Sequence, residues 1–455
     1  MKKKKSKKPS NLPIPQRRLP KADIEWLAER LKSFIIDGRY RVGDRLPPVD
    51  YFVRSEQFKA GDIEEALRRL ESAGLIHSSA NLWIAGSRSR FDLSGMEVRN
   101  KPPVIVLLVN EGSDWYNFFC QTHTTPFAMH FISEAARYGI QIILAFRRGK
   151  ADLPHVPLPQ GEAETGACIR ELGDRYLGTL MFAEPGDQED MISWIRMLDA
   201  FGKPVVYFDH AVLGWYFNRT NVGASERYYR FYFNDPAADR LVLETLSSLG
   251  HRVIGIPIYS RNRNDWPLRR LQALQALAPT LDPPLTIVTS VHSEPFWNFE
   301  IAGGWETMHY SIDKVIRQAM QFNEQAQLKG KKVAAIRDQL VANTPSLSSF
   351  FKSGSVTALV PMSERFAREY FFWLKAVDVQ VPEQLSMLTY DFTPETLPFP
   401  ISTVDFGFSQ LAYRAVHVFV GDIPAEADTE GNVPCHPRLI NKGSLAPPPA
   451  IGVRL

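Results

Sequence analysis

The 455-residue sequence predicts three helices with a small β hairpin, followed by two doubly wound α/β lobes. Three observations carry that prediction. Apolar residues recur at helical spacing through the first 85 residues. Beyond residue 103, short apolar runs alternate with helical stretches. A polar segment, 87–102, separates the two patterns. With 44% hydrophobic and 11% aromatic residues, the chain can fill sizeable cores, which excludes a largely disordered protein.

The formal charge of +3 hides an asymmetry. Residues 1–21 carry nine basic side chains, among them Lys2, Lys3, Lys4, Arg17 and Arg18, and no acid. The rest of the chain holds 44 basic and 50 acidic residues. The first 21 residues read as a flexible arm that seeks a polyanion. Pro9, Pro13 and Pro15 stand where a secretory leader needs an apolar run, and the longest aliphatic stretch, 104–109, is far short of a membrane span. Cys120, Cys168 and Cys435 are scattered and fit neither a disulfide framework nor a zinc site, which points to a reducing compartment. The expectation is a soluble, cytoplasmic protein without a membrane partner.

Between residues 22 and 86 the elements follow in order. Ile24, Leu27, Leu31, Phe34 and Ile35 line one helix face, and Gly38 supplies the stop. Leu46-Pro47-Pro48 opens a short second helix. Ile63, Ala66, Leu67 and Leu70 form the stripe of a third, with Asp62 and Glu65 at capping-box spacing and Gly74 past its end. Residues 75–76 and 82–85 can pair as a hairpin. Three helices and a hairpin in so short a span outline a winged helix-turn-helix.

From 103 to 455 the strand candidates are 104–109, 141–145, 179–183, 205–209, 253–258, 285–289, 357–360 and 385–390. Helical stretches at 127–138, 188–201 and 236–249 separate several of them. Buried strands alternating with covering helices mean parallel sheets, and eight strands over this length suit two Rossmann-like lobes better than one barrel.

The first part contains Ile36-Asp37-Gly38-Arg39-Tyr40, Gly43-Asp44-Arg45-Leu46-Pro47, Glu65-Ala66-Leu67-Arg68-Arg69-Leu70 and Ala73-Gly74-Leu75-Ile76. This series resembles the DNA-binding domain of the GntR family, and the resemblance implies double-stranded operator DNA as a partner. Where that family places three arginines, the sequence has Asp50, Ala60 and Glu64. An arginine grips guanine or phosphate, whereas a carboxylate near DNA is repelled. Lys59, Arg68 and Arg45 remain as candidate DNA contacts, together with the arm's Lys2, Lys3, Lys4, Arg17 and Arg18.

The larger part contains Gly202-Lys203-Pro204-Val205-Val206-Tyr207-Phe208-Asp209, Leu249-Gly250-His251-Arg252, Pro382-Glu383-Gln384-Leu385 leading to Tyr390-Asp391, and Leu439-Ile440-Asn441-Lys442-Gly443-Ser444. In this order they resemble the LacI-family effector domain, of periplasmic-binding-protein type I. That resemblance implies a small polar effector, a sugar, enclosed between the lobes, and assigns ligand contact to Asp209, Arg269 and Asp391. Trp115 and Tyr116, beyond the first strand, can supply a stacking face. Ser363 starts a segment that departs from the family pattern, and 279–350 is long enough to hold an inserted element.

Catalytic and cofactor motifs are missing from the sequence: there is no G-x-S-x-G elbow, P-loop, H-E-x-x-H or G-x-G-x-x-G. His123 and His130 lack an evident third ligand, so neither a metal nor a cofactor is expected. The chain reads as a ligand-responsive, homodimeric transcriptional regulator. Two rival readings stay open at this point. One is a GntR-type regulator with a pyridoxal-phosphate aminotransferase-like domain. The other is a ligand-binding protein with degenerate DNA binding, motivated by Asp50, Ala60 and Glu64.

Overall fold

The computed structural model describes residues 24–56, 58–79, 82–87, 101–111, 124–148, 158–182, 188–209, 217–233, 235–259, 266–292, 349–351, 354–392, 397–450 and 453. Its chain groups into two compact units: Met1–Asn100 with Tyr413–Ala425, and Lys101–Ala412 with Glu426–Leu455.

In the first unit, α1 (Ile24–Ile36), α2 (Val49–Glu56) and α3 (Ala60–Ser72) precede an antiparallel hairpin of β1 (Ile76–Ser79) and β2 (Leu82–Ala85). Leu27, Leu31 and Ile35 of α1 pack with Ile63, Leu67 and Leu70 of α3, so the apolar stripes read from the sequence form one core. Gly38 ends α1 in the left-handed region at φ +71°, and the Arg39 and Tyr40 amides both donate to the Phe34 carbonyl. The third helix differs from its expected start. The Lys59 carbonyl already accepts the Asp62 and Ile63 amides, so Lys59 is the N-cap and Asp62 lies inside the first turn. Glu65 does not reach back to cap; it pairs with Arg68 and Arg69.

The second unit holds two six-stranded sheets. The first contains β3 (Val104–Glu111), β4 (Gln141–Arg148), β5 (Tyr176–Phe182), β6 (Val205–Asp209), β7 (Tyr228–Tyr232) and β13 (Asn432–Pro434). Its order is β13-β7-β6-β5-β3-β4, parallel throughout. The second contains β8 (Val253–Tyr259), β9 (Thr286–His292), β10 (Ala358–Leu359), β11 (Ser386–Tyr390), β12 (Ser402–Asp405) and β14 (Arg438–Ile440). Its order is β14-β12-β11-β10-β8-β9, with only β14 antiparallel. Leaving out the edge strands β13 and β14, both sheets wind in the order 2-1-3-4-5, the doubly wound pattern whose ligand crevice opens at the carboxyl ends of the strands.

Helices α4 (Thr124–Arg137), α5 (Gly161–Leu172), α6 (Gln188–Asp199), α7 (Arg219–Val222), α8 (Asp235–Ser248), α9 (Trp266–Leu277), α10 (Glu364–Ala376) and α11 (Phe408–Val420) supply the connections. The chain passes from one sheet to the other three times: after β7, between β12 and β13, and between β13 and β14. Aromatic rings pack together where the first two passages begin. Phe233 stacks on Phe406 at 4.9 Å and meets Phe408 edge-on at 5.3 Å. Arg438 of β14 donates twice to the Asp405 carboxylate at 2.8 Å. Two Rossmann-like lobes are therefore present, as the strand pattern predicts.

Candidate functional site

The exposed side of the first unit carries Lys59, Ala60, Glu64 and Arg68 along α3, with Asp50 exposed on α2. Arg68 is held by Glu65 at 2.6 Å, which spends part of its charge inside the helix. Arg45 is exposed and its backbone bridges to Ile84 of the hairpin. With its N-cap, the candidate reading helix exposes three cations, Lys59, Arg68 and Arg69, and two acids, Glu64 and Glu71. Lys2, Lys3, Lys4, Arg17 and Arg18 lie outside the described residues.

The second unit concentrates buried charge at the carboxyl ends of its strands. In the first lobe, Asp209 ends β6 and is buried. Arg230, from the neighbouring strand β7, donates to one Asp209 oxygen through Nε at 2.9 Å and through a terminal nitrogen at 2.6 Å. Burial raises the Asp209 carboxyl to about 6, and Arg230 offsets part of that rise.

In the second lobe, Arg270 of α9 is the hub. It donates to Asp235, at the start of α8, and to the Met362 carbonyl at 3.1 Å. Asp239 lies 3.8 Å from its Nε and accepts the Tyr390 hydroxyl at 2.9 Å. The guanidinium lies over the Tyr390 ring, 4.3 Å from its centre. Asp391 follows β11 and is 3% exposed. Its carboxylate accepts the Glu364 amide in the first turn of α10, where a helix N-terminus favours negative charge. Burial raises both Asp239 and Asp391 to about 7 against the lowering effect of Arg270. Asp391 and Phe392 both take positive φ, +99° and +54°. Each such outlier costs about 1–3 kcal/mol, and strain of this kind clusters at ligand sites.

The six candidate ligand residues fare differently. Asp209 and Asp391 lie in these networks. Ser363 is buried at the N-cap of α10, without a capping bond from its own side chain. Arg269 is half-buried, and its neighbour Arg270 is the arginine placed among the acids. Trp115 and Tyr116 lie outside the described residues, as do His123, Cys120 and most of the long segment 279–350. Asp235, Asp239 and Arg230 were not singled out from the sequence. The four-residue spacing of Asp235 and Asp239 puts them on one helix face and was the available signal. Among the described residues no group of side chains could hold a metal, and no helix is long and apolar enough to cross a membrane.

A pair of buried acids raised to about 7, Asp239 and Asp391, can donate as well as accept hydrogen bonds. Together with the guanidinium groups, it offers both halves of the hydrogen bonds that hydroxyl groups make.

Residues 24–81 match the family described as bacterial regulatory proteins, gntR family. No curated protein matches the chain. Among solved structures, the chain is similar to a LacI transcriptional regulator from Rhodococcus species, at 14% identity over 76% of this chain and 98% of that one, with a TM-score of 0.42. It is similar to the trehalose repressor from Escherichia coli at 13% identity, covering 75% and 100%, with a TM-score of 0.42. The transcriptional regulator CelR in complex with cellobiose gives 15% identity, covering 93% and 100%, with a TM-score of 0.41. Overlaps of this size decide nothing about a ligand; the fold follows from the two strand orders.

Proposed function

From a gntR-family DNA-binding domain at residues 24–81 and two doubly wound lobes in the same chain, we propose a cytoplasmic, ligand-responsive transcriptional regulator. The winged helix binds operator DNA, a homodimer presents two such modules, and the lobes enclose a small polar effector. The buried network of Arg270, Asp235, Asp239, Tyr390 and Asp391 at the strand ends carries the effector half of this reading. A neutral sugar fits that network because its hydroxyls both donate and accept.

Asp391 and Arg270 orient the sugar, Asp209 and Arg230 meet it from the other lobe, and closure about the three crossings changes the DNA-bound state. Lys59, Arg68, Arg45 and the basic arm contact the duplex. A thermal-shift screen over neutral sugars tests the effector, because a ligand of the native state must raise the melting temperature. Gel mobility of a duplex from the gene's own upstream region tests the DNA half. Retained ligand shifts with no duplex retardation would establish a sensor with degenerate DNA binding, the reading that exposed Asp50 and Glu64 favour.

A further inference from the structure

The first unit is completed by residues that the chain reaches 371 positions after Val42. Tyr413 is buried, and its hydroxyl accepts the Val42 amide at 3.1 Å. Its ring lies flat against Gly38, so that a Cβ added there would stand 3.0 Å from the ring. Gly38 thus answers two demands, the positive φ that ends α1 and the approach of this ring. Further along, the Asp422 carbonyl accepts both the amide and the hydroxyl of Ser87 at 3.1 Å.

Between these anchors, His417 Nδ1 meets the Asp422 carboxylate at 2.5 Å, both side chains buried, and the His417 ring lies 4.1 Å from that of Tyr413. Ile423 joins the same apolar core. The two loops that bracket the winged helix's working parts, 38–43 before α2 and Ser87 after β2, are therefore both fastened to one later segment. That segment includes the end of α11, a single helix that starts one residue past Gly407, on the passage between β12 and β13.

We propose that Tyr413–Ala425 is the seat of the winged helix and the segment through which events in the lobes reach it; the second clause rests on the regulator reading above. Helix continuity from Phe408 to Val420 lets a change at the crossing be felt at Tyr413 without a flexible joint.

The test uses the full chain. Tyr413→Phe removes only the hydroxyl and should speed hydrogen exchange of the Val42 amide by about 5- to 10-fold, the worth of one hydrogen bond. Tyr413→Ala should also speed exchange across 38–43 and at Ser87, with β3 to β9 exchanging as before. Unchanged exchange at Val42 in both variants would overturn the seat, and Tyr413→Phe keeps this decision open even if the alanine variant folds poorly.

For the route, a duplex from the gene's upstream region should slow exchange at residues 402–412 in the native chain, because coupling between two sites is reciprocal. The same duplex at saturation should leave 402–412 unchanged in Tyr413→Phe. Equal slowing in both proteins, or none in a native chain that does bind the duplex, would overturn the route. A native chain that fails to retard the duplex would overturn the regulator reading and the route with it, while Val42 exchange still decides the seat.

Discussion

Arg270 shows what one buried residue can hold together. Its guanidinium faces Asp235, Asp239 and the Tyr390 ring, of which Asp239 and Tyr390 are buried and Asp235 is partly exposed. Removing it leaves buried carboxylates without their cation, so Arg270→Met should destabilise the fold by about 3–5 kcal/mol in urea unfolding. The acids give a second prediction. Asp239 and Asp391 are raised to about 7, and Asp209 to about 6, from an ordinary 3.8. The folded state therefore binds more protons than the unfolded one across that interval. Their contribution is present at the acid end and is lost as pH rises from about 4 through about 7. Asp239→Asn should flatten this part of the curve of unfolding midpoint against pH; an unchanged curve would mean that Asp239 does not titrate there. Sequence motifs lead to this site but not to its phase. Two arginines stand side by side in α9, and each residue turns a helix by about 100°, so only three-dimensional packing tells which one faces the acids.

At the level of elements, strands carried by aliphatic runs were legible and strands without them were not. All eight strands expected from aliphatic runs are present, shifted at their ends by a few residues. The four missed in the second unit are β7, β12, β13 and β14. β7 reads Tyr-Tyr-Arg-Phe-Tyr, aromatic rather than aliphatic, and the other three span only three or four residues. Such strands exist because a neighbour offers a free edge, which no local pattern records. The case of β13 is instructive. Arg219 donates through Nε to the Tyr228 carbonyl and through a terminal nitrogen to Glu226, while its amide donates to Glu430. Gly431 sits in this cage at φ +79°, and a Cβ there would lie 2.7 Å from both the Arg219 Nε and the Tyr228 carbonyl oxygen. Backbone cannot yield as a flexible side chain does. Gly431→Ala should therefore free β13 from β7, destabilise the chain by more than about 1 kcal/mol, and speed exchange of the Arg230 amide, which donates to Gly431. Retained protection at Arg230 would show that the crossing relaxes around the methyl group.

The charge distribution of the whole molecule sets the terms for DNA binding. Residues 22–95 hold 11 basic and 12 acidic side chains, so the winged helix by itself offers a duplex little net attraction. Asp50 and Glu64 are exposed, and on the proposed DNA-facing side they oppose the charge of Lys59 and Arg68. We propose the nine cations of residues 1–21 as the compensation, since a segment of this composition can follow phosphates or enter a minor groove. Each phosphate neutralised releases condensed counterions, and about four contacts per subunit would steepen the dependence of log K on log salt by roughly 3–4. Deleting residues 1–21 should accordingly weaken binding to every duplex and flatten the salt slope by that amount. The preference for the true operator over random DNA should largely survive, because base-edge contacts belong to the folded module and phosphate contacts carry no sequence information. Titrations of the full and truncated chains at several salt concentrations measure all three quantities. If affinity and slope are both unchanged, the arm is a solubilising tail, and attraction to the duplex must come from groups on the winged helix other than those identified.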